Sequence, residues 1–279
     1  MIKYKSPINW FGGKFYMANN IIDLFPEHKM YVEVFGGAGH LLFKKQPSEI
    51  EVYNDIDSGL VSFFSILRNE DKFNQLKYKL DLTPYSREEF YICRDTWKNE
   101  QNEIEKVRKW YTCVMQSFSS NFSTWSHSKT KSRRGMSQAV SQWLGKIEND
   151  LPNAVDRLKT VQIENVDYKD LIKKYDSKDT LFYLDPPYIH ETRKMTYEYA
   201  HELDNEQHKQ LVDVLLHIKG KAILSGYDHE IYNKLLENNW NKVLLGEFDK
   251  RSEKAVGESR SKGQEFVWLN YENIKIKTA

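Results

Sequence analysis

Short apolar runs alternate along this chain with apolar residues spaced three and four apart. Tyr31-Val32-Glu33-Val34-Phe35 reads as a strand, and a glycine cluster follows it. Leu41, Leu42 and Phe43 open a helix, and Ile50 to Asn54 is a second strand. Leu60, Phe63, Phe64 and Leu67 mark the apolar face of another helix. The same rhythm returns near Val161. Val161 to Val166 is a strand, Asp170-Leu171-Ile172 opens a short helix, and Leu181 to Leu184 is a short apolar strand. Asp204 with Gln207 has the form of a capping box, ahead of an apolar face at Leu211, Val212, Leu215 and Leu216 that Gly220 stops. Ala222 to Ser225, Val243 to Phe248 and Phe266 to Tyr271 complete the strands. Strands that alternate with helices predict an α/β fold with a mostly parallel sheet covered on both faces.

Between about Asn69 and Leu158 the rhythm breaks. This stretch is helical and charged, as in Glu103 to Trp110, and then turns polar and basic from Ser117 through Arg134. It reads as a subdomain inserted into the α/β domain, which would comprise residues 1–68 and 159–279, with 69–158 as the insertion. The polar segment Asp249 to Gln264 has no apolar period and reads as a loop between the last two strands.

A chain of 279 residues suits this organisation, and its 40% hydrophobic content suffices for a sizeable core. The aromatic share of 14% is high, as a stacking surface would require. The formal net charge of +1 gives no global attraction to a polyanion, so any such contact must come from a local basic patch. Cys93 and Cys113 are the two cysteines and fall in no metal-ligand spacing. They read as reduced thiols of a cytoplasmic protein. No apolar run reaches membrane-spanning length and the N-terminus has no signal-peptide core, so the expectation is a soluble protein without a membrane partner.

The strongest chemical motif is Asp185-Pro186-Pro187-Tyr188, directly after a predicted strand. Consecutive prolines stop a ladder and fix φ, and the carboxyl end of a parallel strand is where open α/β sheets bind ligands. A carboxylate, backbone carbonyls and an aromatic ring in one stiff loop suit a planar base with an amino group. Asp185 and the Pro186 carbonyl can accept its two N–H bonds, and Tyr188 can stack on its ring. Phe35-Gly36-Gly37-Ala38-Gly39 joins a strand to a helix and lets a cofactor approach the backbone. It does not follow the dinucleotide pattern, because Leu42 stands where a third glycine would. Asn54-Asp55-Ile56-Asp57 closes the next strand with an acid that can take ribose hydroxyls. Pro7 to Lys14 offers an aromatic wall in Trp10 and Phe11 and a cation in Lys14. Zinc-hydrolase, serine-hydrolase and P-loop motifs are absent, and His190, His201, His208, His217 and His229 read as solvated or capping residues, with no metal site.

These segments, in this order, resemble the D12 class of adenine-N6 DNA methyltransferases, which includes the Dam methylases. The matching stretches are Pro7 to Lys14, Tyr31 to Gly39, Val52 to Asp57, Leu181 to Tyr188 and the strand end Leu224-Ser225. The resemblance implies a Rossmann-like class I S-adenosylmethionine-dependent methyltransferase sheet with an inserted, mainly helical target-recognition subdomain. It implies S-adenosylmethionine as cofactor, S-adenosylhomocysteine as product, and double-stranded DNA as partner, with a monomer or weak homodimer acting. Trp10 and Lys14 would help to hold the cofactor, Phe35, Gly37 and Gly39 would pass beside its methionine part, and Asp55 would take the ribose. Asp167 and Tyr168 would lie beside its adenine. Asp185, Pro186 and Tyr188 would hold the target base, with Asp185 also touching the cofactor. In the insertion, Ser119, Asn121, Trp125, Lys129, Lys131, Arg133 and Arg134 are the candidates for DNA contact, and Lys250 to Lys262 is a second basic stretch. The Asn-Gly-Leu-x-Arg type segment of Dam members is absent, so their GATC target is not carried over. An RNA adenine methyltransferase and a silent nucleic-acid-binding protein on the same fold stay open as alternatives. A nicotinamide dehydrogenase is disfavoured by the glycine pattern.

Overall fold

The structure is a computed structural model that describes residues 4–192, 201–249 and 262–272. In chain order these residues form α1 (Ala18–Ile22), β1 (Met30–Glu33), α2 (His40–Lys44), β2 (Ile50–Asn54), α3 (Ser58–Leu67), α4 (Glu70–Asp81), α5 (Arg87–Thr96) and α6 (Glu103–Gln116). There follow β3 (Ser132–Arg133), β4 (Met136–Ser137), α7 (Gln138–Gly145), α8 (Leu151–Leu158), β5 (Val161–Glu164) and α9 (Tyr168–Tyr175). The chain continues through β6 (Thr180–Leu184), α10 (Asn205–Leu215), β7 (Lys221–Gly226), α11 (Asn233–Glu237), β8 (Asn241–Asp249) and β9 (Lys262–Leu269). Two compact units emerge. The first takes in the N-terminal segment to Phe15, Gly36–Gln46 and Asp55–Asn165; the second takes in Tyr16–Phe35, Pro47–Asn54 and the chain from Val166 onward.

The second unit is built on strands hydrogen-bonded in the order β2-β1-β6-β7-β9-β8. The pairs from β2 to β7 are parallel, and β9 runs antiparallel to both β7 and β8. Alternation along the strands divides the sheet into two unlike faces. Val32, Val34, Val52, Phe182, Leu184, Ala222, Leu224 and Trp268 join one apolar core with Leu171 and Ile172 of α9 and with Leu211, Val212 and Leu215 of α10. The opposite face carries Tyr31, Glu33, Tyr183, Ser225 and Glu265, all buried. The capping box at α10 is present in both directions: Gln207 N–H donates to the Asp204 carboxylate at 2.7 Å, and Asp204 N–H donates to the Gln207 side-chain oxygen at 2.9 Å. Gly220 does not cap that helix. It lies just before β7, where a Cβ would sit 2.9 Å from the carbonyl oxygens of Ser177 and Thr180, so close backbone approach is its reason.

In the first unit α6 is the centre of the helical part. Its Trp110 and Tyr111 are buried against Phe63 of α3, with ring centroids 5.6 and 5.3 Å away. Arg108 draws α4, α5 and α6 together: it donates to Glu89 at 2.7 Å, to Glu105 at 2.7 Å and to the Thr83 hydroxyl at 3.1 Å. Four helix starts, those of α4, α5, α6 and α7, carry a polar cap, with Asn69, Ser86, Asn102 and Ser137 each accepting a backbone N–H.

Several expectations meet corrections of extent. The predicted strand Ile50–Asn54 is found with those bounds. The helix expected over Glu103 to Trp110 runs on to Gln116. The predicted loop Asp249 to Gln264 is shorter, because β8 and β9 pair from Asn241↔Leu269 as far as Asp249↔Lys262. Hydrogen bonding across a hairpin sustains strands that no apolar period marks. Residues 250–261, with most of the second basic stretch, lie outside the described residues. His208 is not a solvated residue: it is fully buried, with Nδ1 3.0 Å from the Tyr232 hydroxyl. His229 is a capping residue, accepting the Ile231 N–H at 3.2 Å.

Candidate functional site

In the second unit the parallel pairing of β1, β2, β6 and β7 brings their carboxyl ends to one edge of the sheet. β6 is buried at every position, and Asp185 follows it directly. Asp185 is half-buried, Pro186 buried, and Tyr188 only 6% exposed. The Tyr188 hydroxyl donates to the carboxylate of Glu265. Its ring meets that of Tyr227, the residue after β7, edge to face with centroids 4.6 Å apart. Burial, with Asp185 and Glu265 nearby, pushes the Tyr188 phenol well above its ordinary value, so it stays protonated and donates. Tyr183 is raised for the same reasons, burial first and Asp185 second, and its hydroxyl shares a 3.0 Å hydrogen bond with Ser225.

The same unit holds a second group. Phe35, directly after β1, and Tyr168, the first residue of α9, have ring centroids 5.6 Å apart. Tyr168 is buried and its hydroxyl donates to the Gln207 carbonyl at 3.3 Å. Burial raises its phenol to about 12. Asp167 is exposed and caps α9, accepting the Lys169 N–H at 2.8 Å. Asn54 ties this group together. Its side-chain amide donates to the Val34 and Val166 carbonyls at 2.9 and 3.2 Å, and its oxygen accepts the Val166 N–H at 3.0 Å. One buried side chain thus clamps the ends of β1 and β2 and the turn into Asp167.

The first unit holds the glycine cluster. Gly37 and Gly39 have φ of +49° and +65°, in the left-handed region that side chains avoid. A Cβ on Gly37 would lie 2.9 Å from Cδ1 of Trp10. The Gly37 N–H donates to one oxygen of Asp55 at 2.8 Å, and the other oxygen accepts the Asp57 N–H at 2.8 Å. Asp55 therefore shapes the backbone that a cofactor would meet. Trp10 packs on Trp110 at 6.0 Å between centroids. Lys14 is buried, and its ammonium donates to the Gly12 carbonyl at 3.1 Å. His40 opens α2 above Gly13, where a Cβ would lie 2.7 Å from its ring. Burial, reinforced by Lys146, Lys14 and Lys44, lowers His40 from 6.5 to about 3 and keeps it neutral.

The basic stretch from Ser117 to Arg134 also lies in the first unit. Phe118 is 62% exposed, next to Ser119, Ser120 and Phe122, which all have positive φ. An open groove of about 490 Å³ is lined by Phe118, Trp125, His127, Lys129 and Lys131 among others. Trp125 stacks on His127 at 5.5 Å and 10°, and the Arg87 guanidinium lies 5.2 Å from the Trp125 ring centre. β3 and β4 form a hairpin whose two turn residues, Arg134 and Gly135, have φ of +56° and +75°, as a two-residue turn between strands requires. Arg133 is exposed, and Arg134 reaches Glu148 at 3.5 Å. Ser119 and Asn121 belong to the strained turn, where Asn121 accepts from the Ser123 N–H and hydroxyl at 3.0 and 2.6 Å.

The sequence matches the D12 class N6 adenine-specific DNA methyltransferases over residues 10–252. The chain belongs to this family. It is 23% identical to the type II methyltransferase M.FokI of Planomicrobium okeanokoites over 292 aligned positions, covering 96% of this chain and 43% of that protein. It is likewise 23% identical to the modification methylase StsI of Streptococcus sanguinis over 196 residues, covering 66% of this chain and 29% of that one. The chain thus spans less than half the length of these curated relatives.

The residues assigned from sequence fall into groups within each unit. Phe35, Tyr168 and Asp167 cluster in the second, as do Asp185 and Tyr188; Trp10, Gly37 and Asp55 cluster in the first. Glu265, Tyr227 and Asn54 were missed as supports. Only Asn54 had a signal, a polar side chain at the end of an otherwise buried strand. Among the described residues, no three His, Cys, Asp or Glu are grouped so as to hold a metal, and no helix is long and apolar enough to cross a membrane.

Proposed function

We propose that this chain transfers the methyl group of S-adenosylmethionine to N6 of an adenine flipped out of duplex DNA. The observation that carries the reading is the Asp185-to-Tyr188 turn, stiffened by two prolines at the carboxyl end of a fully buried parallel strand in a D12 family member. The glycine loop fits the approach of a cofactor to the backbone. Gly37 and Gly39 leave a loop with no side chain to block its approach, and a Cβ on Gly37 would strike Trp10. Trp10, Lys14, Phe35, Gly37, Gly39, Asp55, Asp167, Tyr168 and Asp185 are the residues assigned to hold it. Bound S-adenosylmethionine supplies a methyl group made electrophilic by a sulfonium and leaves as S-adenosylhomocysteine.

The chain's own residues then act by position and charge. The adenine N6 lone pair is delocalised into the ring. Acceptance of both amino hydrogens, by Asp185 and the Pro186 carbonyl, favours a pyramidal nitrogen with its lone pair directed outward. The Asp185 carboxylate also stabilises the positive charge that develops on that nitrogen. Flipping the base costs a few kcal/mol. Stacking on Tyr188, worth about 1–3 kcal/mol per base on aromatic platforms, offsets much of that cost. Ser119, Asn121, Trp125, Lys129, Lys131, Arg133 and Arg134 would contact DNA, the cations at phosphates. The names of the two relatives support a role in site-specific DNA modification.

The test is to incubate the purified protein with S-adenosylmethionine and unmodified genomic DNA, then map N6-methyladenine by single-molecule sequencing. Methylation confined to one short motif is expected, and it identifies the target sequence. Cofactor binding without DNA methylation would overturn the reading and favour an RNA substrate or a silent binder. Full turnover by Asp185→Asn combined with Tyr188→Ala would overturn the assignment of the base site.

A further inference from the structure

Glu265 is 4% exposed in β9, on the sheet face it shares with Val267 and Leu269. An apolar side chain would sit there at less cost, since a buried carboxylate must be repaid by hydrogen bonds and charge. The Glu265 carboxylate accepts the hydroxyl of Tyr188, 77 residues earlier in the chain. Two prolines fix the backbone that leads into Tyr188, but prolines do not fix the rotation of the ring that follows. The bond to Glu265 holds the far end of that ring, and Tyr227 packs against it at 4.6 Å between centroids. The side chain is therefore restrained at its Cα, at its hydroxyl and by a neighbouring ring.

We propose that Glu265 is a positioning residue for methyl transfer: its carboxylate accepts the Tyr188 hydroxyl and sets the ring against which the target adenine is held. The proposal rests on the function proposed above. Glu265 acts through Tyr188, and each end of the bond can be removed separately. The phenol is held protonated by its burial and the adjacent carboxylates, which keeps it the donor throughout the working pH range.

The experiment compares the wild-type chain with Tyr188→Phe, Glu265→Ala, Glu265→Gln and the double variant Tyr188→Phe/Glu265→Ala. The substrate is a duplex containing the motif that sequencing identifies. Tyr188→Phe and Glu265→Ala should each lower kcat about 10- to 100-fold, while the Kd for S-adenosylmethionine, measured by calorimetry without DNA, stays within about twofold. The double variant should be no slower than the slower single variant, because both changes remove one bond. Glu265→Gln keeps an acceptor of the same shape and should recover most of the lost kcat. Multiplicative losses in the double variant, or equal losses in kcat and cofactor affinity, mean a merely structural role and overturn the proposal. If thermal melting shows that Glu265→Ala does not fold, Tyr188→Phe decides alone, and full turnover overturns the proposal. Unchanged variants beside an active wild type refute this inference only. A wild type that makes no N6-methyladenine refutes the function, and this inference with it.

Discussion

Replacing Gly37 by alanine tests whether the glycine loop is a cofactor cradle. Gly37 has φ +49°, where an L-residue pays about 1–2 kcal/mol. The new Cβ would also stand 2.9 Å from Trp10 Cδ1 and 3.3 Å from Trp10 Nε1, closer than packed carbon atoms tolerate. Trp10 packs on Trp110, which is itself buried, so the indole has little room to retreat. Overpacking of this kind adds about 1–3 kcal/mol. Gly135 provides the control. Its φ is +75°, and a Cβ there would meet nothing within 4 Å. Gly135→Ala should therefore show the backbone penalty alone, as a small drop in melting temperature. Gly37→Ala should lose more stability than Gly135→Ala and should weaken S-adenosylmethionine binding by at least about tenfold in a calorimetric titration, equivalent to roughly 1.4 kcal/mol. Gly135→Ala should bind it normally. Wild-type affinity in Gly37→Ala would refute the reasoning, because a loop that accepts the side chain without loss is not closely fitted to a ligand.

Other measurements follow from the same structure. His40 takes up a proton at pH 6.5 in the unfolded chain but at about 3 in the folded one, so stability is full above 6.5 and falls as pH drops towards 3, by up to about 1.4 kcal/mol per pH unit. Urea melts of the wild type and His40→Gln between pH 7 and pH 4 should diverge with that sign, and parallel curves would disprove it. Burial pushes Cys93 up to about 12 and raises Cys113 as well, so at pH 8 neither thiol should react with iodoacetamide until denaturant is added; labelling of the native protein would contradict this. If Lys129, Lys131 and Arg133 contact phosphates, alanine at each should reduce the slope of log K against log salt by about one, measured by fluorescence anisotropy on duplex DNA. An unchanged slope would place that residue outside the interface.

What could be read from the sequence was local. The capping box of α10 and the strand Ile50–Asn54 were legible because their signals lie within a few residues. The Asp-Pro-Pro-Tyr turn was legible because two prolines and an acid after an apolar run leave few backbone options. The contacts that hold it were not, since Tyr188 reaches Glu265 across 77 residues and Asn54 reaches Val166 across 112. A periodic pattern indicates which face a residue occupies, but not its partner there. The strained turn at Ser119, Ser120 and Phe122 was equally hidden, because positive φ is ordinarily announced by glycine or asparagine and these residues announce nothing.

The acids assigned to ligands also organise the backbone, and this decides how they can be tested. Asp55 accepts the N–H of Gly37 from one side and that of Asp57 from the other, and Asp57 in turn accepts from Gly59 and Leu60 at the start of α3. Removing the Asp55 carboxylate would release the glycine loop and the entry to α3 together with any hydroxyl it binds. A loss of cofactor affinity in Asp55→Ala would therefore not show that Asp55 touches the ribose. Gly37→Ala distorts the loop while leaving the carboxylate in place. Loop geometry accounts for the affinity if both variants lose it alike; a larger loss in Asp55→Ala assigns the excess to what the carboxylate does beyond Gly37, at the α3 entry or at the ligand.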